Sequence, residues 1–463
     1  MPYPQVFRHA LRWLPVLAAA TLVASCTAEQ PQSRYSKPPI IIFNIDTLRA
    51  DHLGTYGYHR DTSPQIDRFS QEAALFEWVF SQAPNTPPSQ SSILTSLYPS
   101  SHGRIRKFDA LPEEARTIAE VLSDAGYRSA GIVDGGLMAS GFGMEQGFES
   151  YDDEAGGLRK IGPKMLDWLR SHLADEEKRD QPFFLLVHTY DVHSPYEITP
   201  RRYRDRYLDE LEEKPGEAFR NKMSKTMADT WKQRLKPDPP QLTDAEMAWA
   251  VALYDGGIRH VDAWFGRLRK ELEDQGLWDE VIVAIISDHG DTFQEHGSLF
   301  HEQIYAPVAR IPMLIRFPGA EHAGRYTEVV EAIDLMPTLL DAVGVQAPAN
   351  IHGQSLIPVV QGEAGDGIAI TESPFHGRRL AAANRRVRIV HTKKSGESEL
   401  FRYRDDPLEQ RDVIWEHEQD TERLLSLLER WEKRTEAFQF PKASSEPLDE
   451  ETIEQLRTLG YID

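Results

Sequence analysis

The chain of 463 residues contains a single cysteine, Cys26. A disulfide framework, a thiolate zinc cluster and a CxxC redox pair are therefore all excluded. Positive charge is also scarce: 52 Lys and Arg stand against 73 Asp and Glu, a formal net charge of −21. So acidic a surface argues against nucleic-acid binding, which needs basic patches to meet phosphates. It also means that an anionic substrate requires local compensation. Long apolar runs are missing too, since nothing after residue 26 approaches the ~20 residues of a membrane-spanning helix. What is present is a globular composition, 40% hydrophobic and 10% aromatic with 30 Gly and 30 Pro. At about 150 residues per domain the length allows about three domains, or one large α/β domain with an appendage.

Near the start, Arg8 and Arg12 precede an apolar run over residues 13–23, about half a membrane span, which reads as the core of a signal peptide. It closes on Val23-Ala24-Ser25-Cys26, which resembles the lipobox of bacterial lipoproteins, where the cysteine is acylated. The plainer alternative is ordinary signal-peptide cleavage with an incidental cysteine. The lipobox reading predicts a signal peptide over 1–25, a polar tether over 26–37, and a lipid anchor at Cys26. The protein is then held at a bacterial cell envelope, on its periplasmic or extracellular face.

Short apolar runs alternate with amphipathic stretches in the rest of the chain, the pattern of an α/β fold with buried strands. Strands are expected at 39–45, 183–189, 281–286 and 312–317, and helices at 114–125 and 248–275, each stopped by a glycine. Residues 201–240 are charged and punctuated by proline. They read as an insertion near the site entrance, or more plainly as a solvated helical surface. From residue 368 onward, β-prone pieces at 388–391 and 400–403 and an acidic helix at 418–438 suggest a smaller α+β subdomain. The expected division is 38–365 for the main domain and 366–463 for the C-terminal part.

Open α/β sheets place their sites beyond the carboxyl ends of the strands. Three strands here end in polar clusters: Asn44-Ile45-Asp46-Thr47, His188 to His193, and Ser287-Asp288-His289-Gly290-Asp291. Carboxylate oxygen and imidazole nitrogen both coordinate divalent metals, so Asp46, Asp288 and His289 are candidate ligands. Thr86, followed by Pro87 and Pro88 and a helical apolar pattern, stands at a helix N-terminus, where free amides and the dipole attract an anion. Its plainer role is that of a helix cap.

Together these residues resemble the sulfatase family of the alkaline phosphatase superfamily. Residues 46–57 are similar to the family's opening metal-binding motif. Thr86 to Gln90 stands at its Cys/Ser-x-Pro-Ser-Arg signature, and Asp191-Val192-His193-Ser194-Pro195-Tyr196 resembles its Asp-Pro-His-x-Pro-Tyr element. Ser287 to Gly290, His296-Gly297 and Arg310-Ile311-Pro312 match later motifs, and Leu456 to Tyr461 has the family's C-terminal style. The resemblance implies an α/β fold with a mixed central sheet flanked by helices and a smaller C-terminal α+β subdomain. It implies metal ligation by Asp46, Asp288 and His289, a nucleophile position at Thr86, and catalytic contacts from His193 and His301 to the transferred group or to a second metal. Substrate contacts are implied for Ser89, Gln90, Asp191 and His296. The cofactor is then one or two divalent ions, calcium or zinc, and the substrate a small-molecule or glycan sulfate or phosphate ester.

The departures from the pattern are chemical. Threonine carries a methyl on Cβ and cannot give the formylglycine aldehyde that signature cysteines or serines yield. Gln90 replaces the signature arginine, Thr47 a second metal-binding aspartate, and Val133-Asp134-Gly135-Gly136 lacks the Lys and His of the arylsulfatase Gly-Lys-Trp-His element. The leading expectation is a metal-dependent ester hydrolase with threonine at the nucleophile position. Transfer of a phosphoryl-linked head group and a non-catalytic binding role are the alternatives.

Overall fold

Strand β1 (Ile40–Ile45) is buried along its whole length. Ile41, Phe43 and Ile45 pack into the core on one face of the sheet, Ile40 and Ile42 into the core on the other. Alternation with no polar face is what a strand covered on both sides requires. Seven more strands join it: β2 (Ala74–Phe80), β3 (Arg128–Ile132), β4 (Ser150–Asp152), β5 (Phe183–Thr189), β6 (Ile282–Ile286), β7 (Arg310–Arg316) and β8 (Gly324–Glu331). Their order is β8-β2-β7-β6-β1-β5-β3-β4. Strand β7 runs antiparallel to both neighbours, and the other pairs are parallel, so the sheet is mixed as expected.

The computed structural model describes residues 34–196, 198–211, 225, 229, 232–233, 241–363, 365, 367–445, 448–459 and 461. Cys26, with the signal-peptide and lipobox readings, and most of the 201–240 insertion lie outside them. Tyr35–Asp463 make up one compact unit. No helix among the described residues is long and apolar enough to cross a membrane.

Helices that matter for the site are α1 (Thr86–Thr95), α2 (Ile118–Asp124), α3 (Leu158–Ala174) and α4 (Asp244–Asp274). The expected helix at 114–125 starts later, because Thr117 and Glu120 form a capping box that fixes the first turn. Thr243 and Glu246 do the same for α4. Helix α3, which contains Pro163 and follows Gly157, was hidden by those two residues. Within α4, a Cβ at Gly257 would stand 2.6 Å from the Asp191 carbonyl oxygen, so glycine lets the helix seat against the loop that leads to His193.

A second sheet, β9 (Ala369–Ser373), β10 (Arg379–Ala383), β11 (Arg388–Thr392) and β12 (Ser398–Phe401), is an antiparallel meander. Helix α5 (Glu418–Glu436) covers it with Leu424, Leu428 and Trp431. This is the expected C-terminal subdomain. A further helix, α6 (Glu450–Thr458), was not anticipated.

One buried carboxylate joins α4 to the start of the molecule. Asp262 Oδ1 accepts the amides of Gln65 and Ile66 at 2.8 and 2.9 Å, and Oδ2 accepts from Arg259 at 2.7 Å. Burial outweighs these bonds and pushes its carboxyl up to about 7. An unfolded Asp titrates near 3.9. Between those values the folded chain binds more protons than the unfolded one, so this group makes stability fall as pH rises from about 4 to 7, by up to ~1.4 kcal/mol per pH unit. Asp262→Asn keeps the Oδ1 acceptor and removes that slope. Chemical denaturation of both proteins at pH 5 and 8 measures it, and parallel pH profiles would refute the assignment.

Candidate active site

Three adjacent parallel strands bring their polar ends to one edge of the sheet. Asn44 of β1 is in register with His188 of β5 and with Ile286 of β6, which sets Asp46, His188 and the 287–291 loop level with one another. The Thr47 amide donates to Asp288 Oδ1 at 3.2 Å and the Leu48 amide to Ser287 Oγ at 2.9 Å. Thr47 holds φ at +56°, a left-handed conformation that β-branched residues rarely adopt. In this turn its amide, and not its side chain, serves Asp288.

Asp46, Asp288 and His289 are each 0% exposed and offer one ligand atom apiece within 4.8 Å of one another. Asp46 Oδ1 and Asp288 Oδ2 have no hydrogen-bond partner. His289 Nδ1 donates to the Gly290 carbonyl at 3.0 Å, which leaves Nε2 with its lone pair, 3.4 Å from Asp288 Oδ2. Burial, then Asp288 and Asp291, hold the Asp46 carboxyl well above the usual range. Buried carboxylate oxygens with nothing to bond are costly, and a divalent cation fits this donor set. Among the described residues no second set of His, Asp or Glu has that spacing.

Thr86 begins α1 with Asn85 as its cap and is 0% exposed. Its Oγ1 lies 3.3 Å from Asp46 Oδ2 and 3.4 Å from His289 Nε2. The expected ring of free helix amides is thinner than the sequence reading assumed. Pro87 and Pro88 have no N–H and the Ser89 amide donates to the Asn85 carbonyl at 3.3 Å, leaving at most the amides of Asn85 and Thr86.

His193 and His301 face each other at 5.2 Å between ring centroids, with His301 4.6 Å from His289. Asp291 orients this group: its Oδ1 accepts from His301 Nδ1 at 2.9 Å and its Oδ2 from the Tyr196 hydroxyl at 2.8 Å. Burial, then His301, lowers His193 to about 3, and burial, then His193, lowers His188 to about 3. Both are neutral at pH 7. Arg49, the nearby cation, is occupied by Asp51, Glu295 and the Asp291 carbonyl.

The sulfatase family profile matches residues 38–345. The chain belongs to the sulfatase family. A second profile, "N-sulphoglucosamine sulphohydrolase, C-terminal", matches residues 294–436. The sulfatase is 26% identical over 445 residues to an arylsulfatase of Clostridium perfringens, covering 82% of this chain and 90% of that enzyme. It is 23% identical to an N-acetylglucosamine-6-O-sulfatase of Bacteroides thetaiotaomicron, covering 90% of each chain. Two solved structures share the fold. A chain in complex with its substrate D-glucosamine-2-N,6-O-disulfate has a TM-score of 0.69 at 21% identity, covering 87% of this chain and 98% of that one. A phosphonate monoester hydrolase from Silicibacter pomeroyi has a TM-score of 0.67 at 21% identity, covering 86% and 96%. This sulfatase is accordingly an ester hydrolase by family.

The residues expected to contact substrate have partners within the fold. Ser89 Oγ donates to the Asp288 carbonyl at 2.6 Å, clamping the 287–291 loop to α1. Gln90 is fully buried and its Oε1 accepts from Asn44 at 2.6 Å. Asp191 accepts the Leu158 amide at 2.6 Å and pairs with His260 Nδ1 at 2.9 Å, so it ties α3 and α4 to the loop before His193. His296 stacks on Tyr305 at 3.6 Å and bonds the Leu408 carbonyl. Each of these side chains is engaged in holding elements together.

Sequence reasoning passed over His188, Asp291 and Tyr461 as site residues in this sulfatase. His188 was readable as a polar residue near the carboxyl end of an apolar strand. Asp291 closes the polar cluster that follows β6. Tyr461 ended the C-terminal motif, which gave no sign that the folded chain brings it to Thr86.

Proposed function

We propose that this sulfatase is a metal-dependent hydrolase of sulfate or phosphate-type esters in which the Thr86 hydroxyl is the nucleophile. One observation carries the reading: the Thr86 hydroxyl lies within 3.4 Å of two members of a buried three-residue cluster in which one oxygen of each carboxylate lacks a partner. A divalent cation held by Asp46, Asp288 and His289 would lower the pKa of that hydroxyl and neutralise the oxygens of the ester. The imidazole donor favours zinc over calcium.

Thr86 Oγ1 attacks sulfur or phosphorus, the bond from that atom to the leaving oxygen breaks, and the threonine proton ends on that oxygen, so that an alcohol departs. The product is a threonine ester, which water then attacks at sulfur or phosphorus to restore the hydroxyl. His193, neutral, and His301, held by Asp291, are set side by side and line the face on which the transferred group sits. Similarity to enzymes acting on sulfated glucosamine supports a sulfated glycan as substrate class, and the phosphonate monoester hydrolase likeness supports including phosphorus esters. Anchoring through Cys26 at the cell envelope belongs to the same reading and rests on residues 13–26.

The test is elemental analysis of the purified protein, followed by assay of the metal-replete form. The panel comprises an aryl sulfate, glucosamine 6-sulfate, a phosphate monoester, a phosphodiester and a phosphonate monoester. Bound metal and turnover of at least one ester are expected. A metal-replete protein that turns over none of them would overturn the reading.

A further inference from the structure

The reactive threonine is sealed from solvent, and a residue from far along the chain seals it. Thr86 is 0% exposed, His193 2% and His301 3%. The Tyr461 hydroxyl lies between Thr86 and His193, 3.3 Å from Thr86 Oγ1 and 2.9 Å from His193 Nε2. The direction of these bonds follows from the imidazole. His193 Nδ1 donates to the Ser194 carbonyl at 2.6 Å, so Nε2 accepts the phenol proton, and the phenol oxygen faces Thr86 as an acceptor. An oxygen of the ester group whose sulfur or phosphorus Thr86 attacks needs the same place.

Helix α6 carries the tyrosine there. Leu456 is fully buried, Gln455 Oε1 accepts the Gly136 amide at 2.6 Å, and Lys107 Nζ donates to the Tyr461 carbonyl. Gly135 and Gly136 hold φ at +55° and +58°, where side chains are strained. A Cβ on Gly136 would also stand 2.8 Å from Leu459, and one on Gly135 would collide with Gln455. The Val133-Asp134-Gly135-Gly136 segment, bare of the arylsulfatase Lys and His, is the floor on which α6 docks. The docking is light. Glu450, Glu451, Glu454, Arg457 and Thr458 are exposed, and a cavity of about 340 Å³ bordered by Tyr190, Ile198, Gln455 and Leu459 opens beside the helix. An element with so few buried apolar contacts opens locally ahead of the rest of the fold.

We propose that α6 delivers Tyr461 as a plug, which takes no part in binding or turning over the ester and occupies the seat of its anionic group until substrate displaces it. The inference deepens the ester-hydrolase reading and rests on Thr86 being the nucleophile position. With the phenol in place the enzyme is closed; entry requires α6 to lift or Tyr461 to swing out.

The decisive measurement is independent of catalysis. In the full chain carrying Thr86→Cys, the rate of maleimide modification at position 86 is followed by peptide mass spectrometry, which separates it from Cys26. Adding Tyr461→Ala is expected to speed that modification by about tenfold or more, as removal of a dominant closed state does. Gln455→Ala, which unfastens α6 from Gly136, moves it in the same direction. In the Thr86 chain, Tyr461→Ala is expected to lower KM for a small aryl ester without a matching fall in kcat. Equal modification rates in all three chains would overturn the proposal. So would a fall in kcat with unchanged modification, which would make the phenol catalytic. If no ester is turned over by any variant, the hydrolase reading fails while the modification rates still decide whether Tyr461 closes the site.

Discussion

Alanine at position 86 lowers kcat by a factor on the order of 10,000 to 1,000,000, the scale at which loss of an enzyme's nucleophile is felt. Serine at the same position stays within roughly tenfold, because it keeps the hydroxyl and loses only the methyl. The distances explain why the loss falls on chemistry and spares the fold. Thr86 Oγ1 makes only long contacts, 3.3 Å to Asp46 and to Tyr461 and 3.4 Å to His289. Their removal therefore costs stability less than ~1 kcal/mol. Steady-state kinetics on the best ester of the panel, with Tm measured on the same preparations, checks both halves. An alanine variant that retains a tenth of wild-type turnover would show that Thr86 is not the nucleophile.

Asp46→Asn is expected to have opposite effects on the metal-free and metal-replete protein. Without metal, Asp46 and Asp288 are two buried carboxylates with unpartnered oxygens, and burial followed by Asp288 raises the Asp46 carboxyl. The folded chain then keeps a proton that an unfolded Asp releases above about pH 4, so stability falls as pH rises. Asparagine removes that repulsion, and the chelated protein gains about 1–3 kcal/mol at pH 8. With metal the sign reverses. A neutral amide is a weaker ligand than a carboxylate, so stoichiometric metal and the stabilisation it brings are lost, and turnover falls at least about a hundredfold. Calorimetry in EDTA and in added zinc or calcium, with bound metal counted in parallel, reads all three. A variant that binds metal like the wild type would remove Asp46 from the ligand set.

The legibility of this site followed the length of the contacts involved. Asp46, Asp288 and His289 could be found in the sequence because each follows an apolar strand directly, and strand ends in a parallel sheet converge. Thr86 could be found because proline and a helical pattern follow it. Ser89, Gln90 and Asp191 were assigned to substrate for their place in motifs, yet their partners are the Asp288 carbonyl, Asn44 and His260. Motif position says that a residue is near a site. It does not say whether the side chain faces the ligand or the scaffold, since that depends on partners 46 to 199 positions away. The start of α2 was misplaced for a different reason: the Thr117–Glu120 capping box was present in the sequence and outranks the apolar spacing upstream of it.

The sequence by itself determined the α/β class, the two strand ends that bring Asp46, Asp288 and His289 together and the threonine beside them, because these depend on local periodicity and on residues adjacent to strands. It also closed the thiol-derived formylglycine route, since position 86 is threonine and Cys26 is the chain's one cysteine. Only the tertiary structure decided which motif residues hold the scaffold, that Asp291 orients His301, and that Tyr461 reaches Thr86 across 375 positions of sequence. The reason is physical. Strand periodicity is written in neighbouring residues, whereas the docking of α6 is set by two glycines and a buried leucine whose meeting no local pattern encodes.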